Sequence, residues 1–227
     1  MQFWRLNPQS IIWGTDFIRV TKNPELRRKE LMDIAEQLFL EKGYENAMVR
    51  DIVKKAGVAQ GTFYYYFKSK EAILDEITDK YINIIVESME KISKQENLNA
   101  LEKLVKIFQF SLSFRNDTRS IMQYVHAEKN VHLHRKFEQR IPLQTVGPLA
   151  HIFKQGVEEG IFNTQYPEDA AKAFNGISAM VLQGIDSANH NSKEFRRKFM
   201  AIFDFMERIL GTEKGAILNA FNEKSAL

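Results

Sequence analysis

The stretch from Val49 to Lys70 reads VRDIVKKAGVAQGTFYYYFKSK, and the fold turns on it. Val49, Ile52, Val53 and Ala56 recur at the spacing of one face of a helix. Gly57 stops that helix, because a tight turn there needs a residue free to take positive φ. Val58 opens a second short helix, in which Phe63 and Phe67 lie one turn apart. Two short helices joined by Ala56-Gly57-Val58 make a helix-turn-helix pattern over about residues 48–67. In such a motif the second helix lies in the major groove of DNA and the first braces it against the backbone.

The second helix carries groups suited to that task. Gln60 can pair a base edge, and an amide suits adenine. Gly61 lets DNA approach closely, and Thr62 offers a hydroxyl. Tyr64, Tyr65 and Tyr66 spread over about 200° of a helix, so they cannot all be buried. A phenol that faces outward can donate to a phosphate oxygen. Lys70 stands at the start of the next helix, where its charge adds to the positive end of the helix dipole. Phe63 and Phe67 are assigned to the small core beneath. Residues 47–70 hold Arg50, Lys54, Lys55, Lys68 and Lys70 against Asp51 alone, while residues 71–227 are nearly neutral. A basic patch on a near-neutral body is the electrostatic footprint of a nucleic-acid binder.

Outward from this stretch the pattern stays helical. Asn23-Pro24-Glu25 is a helix start, with a capping side chain, Pro at the first position and an acid in the first turn. Leu31, Ile34, Ala35, Leu38 and Phe39 then form one face, up to Gly43. Ser69 caps a long helix whose apolar face runs from Ile73 to Ile92. Further stripes fall at Leu101–Leu112, at Ile121–Val125, at 170–185 and at 199–210. Pro142, Gly147 and Pro148 predict a break or kink before Leu149. Asn189 to Ser192 reads as a loop, and residues 212–227 as a weak tail. No segment alternates as a strand does, so the fold class is all-α.

Composition narrows the function. The chain has 227 residues, 44% of them apolar and 27% charged, which fits a folded chain of one or two domains. Cys is absent, which excludes disulfide scaffolds, Fe–S clusters and Cys-ligated zinc. No apolar run reaches the roughly 18–20 residues of a membrane span. The first 20 residues mix Phe3, Trp4, Ile11, Ile12, Trp13 and Phe17 with polar groups, without the order of a secretory signal. They read as an extension outside the main fold, either a packed accessory segment or an upstream mis-assigned start.

Catalytic and metal patterns are missing from the sequence. His126, His132, His134, His151 and His190 include no pair three or four apart, so no helix face presents two imidazoles to a metal. Gly176-Ile177-Ser178-Ala179-Met180 lacks the second glycine of a nucleophile elbow, and no Gly-rich phosphate loop occurs. No enzyme activity and no cofactor are expected. Phe108, Met122, Tyr124 and Phe137 are candidates for lining an apolar effector pocket, although an ordinary core uses the same residues. Phe174, Val181, Phe199, Phe203 and Met206, on the two stripes nearest the C-terminus, are candidates for a dimer interface.

Residues 28–74 closely resemble the DNA-binding domain of TetR-family transcriptional regulators. The resemblance runs through AEQLFLEKGYENAMVRDIVKKAGVAQGTFYYYFKSKEAIL, with Phe39, Gly43, Tyr44, Ile52, Ala56, Gly57, Val58, Gly61, Phe63, Tyr64, Phe67, Lys70 and Leu74 in the family's spacing. Two positions depart from it. The family usually carries Ser or Thr near Met48 and Ala59, where the hydroxyls cap the two helices and reach phosphate, and neither residue can do so here.

The resemblance implies a three-helix DNA-binding domain at residues 21–70, followed by a helical ligand-binding and dimerisation domain at 71–211. Gly156-Val157-Glu158-Glu159-Gly160-Ile161-Phe162, followed by Pro167, resembles the approach to the family's two dimer-forming helices. It further implies a cytoplasmic homodimer that binds palindromic, double-stranded operator DNA. A small, largely apolar effector would release it. The alternative reading is a ligand-binding or interaction module that no longer reads DNA.

Overall fold

The computed structural model describes residues 23–125, 130–182 and 192–225, without the side chains of Gln123, His132, Lys224 and Ser225. The two tryptophans, His126, His190, the leader and the end of the 170–185 stripe lie outside the described residues. Ten helices and no strand occur among the described residues. Their order is α1 (Pro24–Lys42), α2 (Val49–Ala56), α3 (Gln60–Tyr66), α4 (Lys70–Ser93), α5 (Ala100–Asp117), α6 (Arg119–Val125), α7 (Val131–Glu158), α8 (Pro167–Leu182), α9 (Lys193–Leu210) and α10 (Ala216–Ser225).

The capping residues start the helices as their chemistry requires. Asn23 Oδ1 accepts the N–H of Glu25 at 2.9 Å, and Ser69 Oγ accepts that of Ala72 at 3.1 Å. Asn99 and Glu102 close a reciprocal capping box at the start of α5. Gly57 turns between α2 and α3 at φ 65°, in the left-handed region. Met48 and Ala59 stand at the starts of α2 and α3 without a side-chain cap. At α2 the Asp51 carboxylate accepts the Met48 N–H in return, at 3.3 Å.

Apolar side chains gather into two cores. One joins α1–α3, the first half of α4, α6 and the start of α7, around Phe39, Phe63, Phe67, Ile77, Tyr81, Ile121 and Phe137. The other joins the far end of α4, α5, the second half of α7 and α8–α10, around Leu104, Phe108, Phe153, Phe174, Phe203 and Met206. The packing therefore divides within α4, between Ile82 and Met89, rather than at its start.

Two expectations are corrected here. Of the expected break or kink, the break is absent: α7 is one continuous 28-residue helix that runs through Pro142 and Pro148. Thr145 Oγ donates to the Ile141 carbonyl at 2.8 Å, and Asn175 of α8 donates to the Pro142 carbonyl at 2.9 Å, so groups outside the backbone ladder help hold the chain helical there. The end of the chain is not a loose tail either, since residues 216–225 form α10. The buried Glu207 carboxylate accepts the N–H groups of Gly215 and Ile217 at 2.7 and 3.0 Å. That places an anion at the positive end of α10. Ile217 is fully buried, and the Phe221 ring lies 5.5 Å from that of Phe203.

Candidate nucleic-acid interface

α2 and α3 meet at Gly57, with Ile52, Val53, Phe63 and Phe67 turned inward. That packing leaves the opposite face of α3 in solvent. Gln60 and Gly61 are exposed, Thr62 and Tyr66 half-exposed, and Tyr64 and Tyr65 keep 51% and 78% of their surface accessible. The Tyr65 and Tyr66 rings meet edge to face at 4.9 Å, so the phenols stand as a pre-arranged pair. A large apolar ring gains by burial, so an aromatic surface this open marks a surface meant to be covered. Arg50 and Lys54, one turn apart on α2, and Lys68 past α3 are also exposed. The face thus combines hydrogen-bond donors with positive charge, which fits the acceptor-rich phosphate backbone.

Lys70 is placed differently from the expectation. Its ammonium donates to the carbonyls of Tyr44 and Ala47 at 2.8 and 3.0 Å and lies 4.0 Å over the Tyr44 ring. Desolvation lowers its pKa below the ordinary lysine value. The charge fastens the α1–α2 corner to α4. Lys70→Met is therefore expected to cost about 1.5–3 kcal/mol of stability, the range for a hydrogen bond to a charged group. Operator affinity should fall with it, while its salt dependence stays the same. Thermal melting and binding at several salt concentrations check this. Unchanged stability with a shallower salt slope would return Lys70 to the phosphates.

Helices α1–α3 are tied to the rest of the chain by ions as well as by core. Arg28 of α1 pairs with both oxygens of Glu76 on α4, and Lys80 pairs with Glu36. Lys136 of α7 donates to Asp75 and Asp79 at 2.8 Å each, and Arg140 joins Asp79. Tyr124 of α6 packs on Tyr44 with ring centres 3.8 Å apart. Burial pushes the Tyr44 and Tyr81 phenols well above the ordinary tyrosine range, so both stay neutral.

The candidate pocket residues do not converge. Phe108 packs in the C-terminal core against Phe174, Phe199 and Phe203. Met122, Tyr124 and Phe137 belong to the core beneath α1–α3. An open groove of about 290 Å³ lies at the border of the two cores, but its lining of Asn83, Val86, Glu87, Glu90 and Gln144 is mostly polar. The dimer candidates are corrected in part. Phe174, Phe203 and Met206 are buried within their own subunit, and Val181 and Phe199 pack against the same core. An apolar stripe marks the most buried face of a helix, and in α8 and α9 that face is internal. Met180, which is 72% exposed, and Met200 and Phe205 are the large apolar side chains that α8 and α9 leave open. In the sequence, Ala173, Gly176, Ile177 and Met180 repeat at helical spacing beside the internal stripe. Among the described residues no group of three His, Asp or Glu side chains is placed to hold a metal. His134 instead meets Glu138, at 3.0 Å.

Comparison with known proteins agrees with this geometry. Residues 31–77 match the family described as bacterial regulatory proteins, tetR family. A fatty acid metabolism regulator protein of Bacillus subtilis is 32% identical over 134 residues, which span 58% of this chain and 68% of that one. The chain belongs to the TetR family of bacterial regulatory proteins. A second relative, the transcriptional repressor KstR2 of Mycobacterium tuberculosis, is 28% identical over 160 residues, or 69% of this chain and 79% of its own. A solved structure of a transcriptional regulator from Cytophaga hutchinsonii shares the fold with a TM-score of 0.66 at 16% identity, covering 83% of this chain and 98% of that one. The TetR-type domain thus falls on α1–α4, where the exposed tyrosines and basic groups lie. The protein is a helix-turn-helix transcriptional regulator.

Proposed function

We propose that this TetR-family regulator is a homodimeric repressor that reads a two-fold operator and leaves it when a small, largely apolar effector binds. The outward α3 face carries the reading. Gln60 reads a base edge, Gly61 and Thr62 allow and fix the close approach, and Tyr64, Tyr65 and Tyr66 with Arg50 and Lys68 hold the phosphates. Its role is binding rather than catalysis, and its place is the cytoplasm. The name of the Bacillus relative, a fatty acid metabolism regulator, supports an effector with an apolar chain. The exposed faces of α8 and α9, with Ile177, Met180, Met200 and Phe205, support the dimer.

Selection from a random duplex pool, followed by binding measurements, tests the reading. Gln60→Ala is expected to relax preference at one base position by about 1–3 kcal/mol. Arg50→Ala or Lys68→Ala should weaken all sequences alike and flatten the salt slope by about one unit. Tyr65→Phe should weaken binding without changing that slope, because a neutral donor releases no counterion. A wild type that selects no sequence above random DNA would leave the chain a ligand-binding module without a DNA function.

A further inference from the structure

The border between the two cores is crossed by α4, α5 and α7. On α4 it falls between Ile82 and Met89, and on α7 between Phe137 and Leu149. The open groove lined by Asn83, Val86, Glu87, Glu90 and Gln144 sits on that border, and Ile85 packs against both cores beside it. α7 carries both of its prolines in the same interval. Each proline removes one rung of the helical ladder, that to the Glu138 carbonyl at Pro142 and that to the Gln144 carbonyl at Pro148. Sharp bends in helices concentrate at such positions.

Each side of the border is fastened within itself. Lys136 and Arg140 bind the first half of α7 to Asp75 and Asp79 in the first half of α4. On the other side the buried Lys103 donates to the Ser93 carbonyl at 2.8 Å and to Gln155 at 2.6 Å. Gln155 in turn holds the Leu98 carbonyl and Glu159, and Glu159 accepts the N–H of Ala100. The end of α4, the start of α5 and the end of α7 are thereby one body.

One residue of α8 clasps the proline segment from outside. Asn175 Nδ2 donates to the Pro142 carbonyl at 2.9 Å and to Thr145 Oγ at 3.1 Å. One turn further along α8, the buried Ser178 hydroxyl has no hydrogen-bond partner among the described residues. Buried hydroxyls are paired in the great majority of proteins. An unpaired one a single turn from Asn175 calls for an explanation.

We propose that the Pro142–Pro148 segment of α7 is a hinge between the two bodies, with Asn175 as the residue that holds it in the present setting and Ser178 as the one that finds a partner in the other. The hinge itself does not depend on what α3 binds. Its consequence, that an effector acts by resetting the angle of the DNA-reading body, rests on the function proposed above. A ligand shifts such an equilibrium only as far as it prefers one setting.

The absence of native cysteine makes the test clean. Dyes placed at Lys29→Cys and Lys214→Cys, both exposed and one in each body, report the angle by single-molecule energy transfer, with labelled chain diluted into excess unlabelled chain. Two populations are expected for the wild type. Asn175→Ala should lower, and Ser178→Ala should raise, the share of the one whose distance matches this structure, each by about fivefold in population ratio. Pro142→Ala with Pro148→Ala restores the missing donors and should leave one narrow population. A wild-type distribution as narrow as that of the proline variant, or shifts of the same sign for Asn175→Ala and Ser178→Ala, would overturn the hinge. Added duplex selected by the wild type should collect one population. If no duplex binds, the operator function fails while the distributions without DNA still decide the hinge.

Discussion

Met180→Glu and Phe205→Glu, made together, are expected to turn the protein into a folded monomer that binds its operator roughly 10²–10⁴-fold more weakly. Both side chains are open in the single subunit, 72% and 39% exposed, so charging them costs the subunit little, within about 0.5 kcal/mol each. In a two-fold interface built from α8 and α9 the same changes bring carboxylates against apolar surface and, across the axis, near one another. Losing the dimer converts one two-site event into separate half-site events, and the affinity gained from linkage disappears. Phe203→Glu is the contrast. Phe203 is 2% exposed and packs on Phe108, Phe199 and Phe221, so a charge there should unfold the C-terminal body instead of splitting a dimer. Sedimentation, melting and operator titration on the same samples separate the two outcomes. A double variant that still sediments as a dimer would move the interface off these faces.

What could be read from the sequence follows the range over which each signal acts. The starts of α1 and α4 were legible because Asn23 and Ser69 bond to backbone two and three residues away. The turn at Gly57 was legible because it depends on one residue's backbone. The Lys70 placement was not, since its ammonium meets carbonyls 26 and 23 residues upstream. A lysine at a helix start beside three tyrosines reads as a phosphate ligand until those carbonyls are in place. The continuity of α7 and the existence of α10 were hidden for the same reason. Asn175 reaches back 33 residues to Pro142, and Glu207 reaches forward to Gly215 and Ile217 across a Gly-bounded turn. The internal packing of the α8 and α9 stripes was hidden for a different reason. Periodicity locates the apolar stripe of a helix but does not say which neighbour covers it, and in α9 the covering neighbours are α5 and α10 of the same chain.

Phe63→Ala is expected to melt the DNA-reading body while the C-terminal body stays folded, and Phe203→Ala to do the reverse. Phe63 is fully buried between Tyr64 and Phe67, and removing a ring from such a site costs about 3–5 kcal/mol. The core it supports takes in about a third of the chain, so the loss is concentrated on few residues. For a unit of that size each kcal/mol moves the midpoint by about 4–8 °C, so a fall of more than about 10 °C is expected in the lower transition. The tyrosines make the two bodies separately visible. Tyr44, Tyr64, Tyr65, Tyr66, Tyr81 and Tyr124 all lie in the DNA-reading body, and Tyr166 alone lies outside it, just before α8. Near-ultraviolet dichroism of tyrosine therefore follows the first body, and calorimetry follows both. Phe63→Ala should shift the tyrosine signal and abolish operator binding, leaving the upper calorimetric transition in place. Phe203→Ala should lower the upper transition and leave the tyrosine signal where it was. α4, α5 and α7 thread both cores, which works toward cooperativity between them. The division into two cores and the two missing rungs of α7 work against it. A single wild-type transition moved equally by both substitutions would show that the shared helices win and that the chain unfolds as one unit.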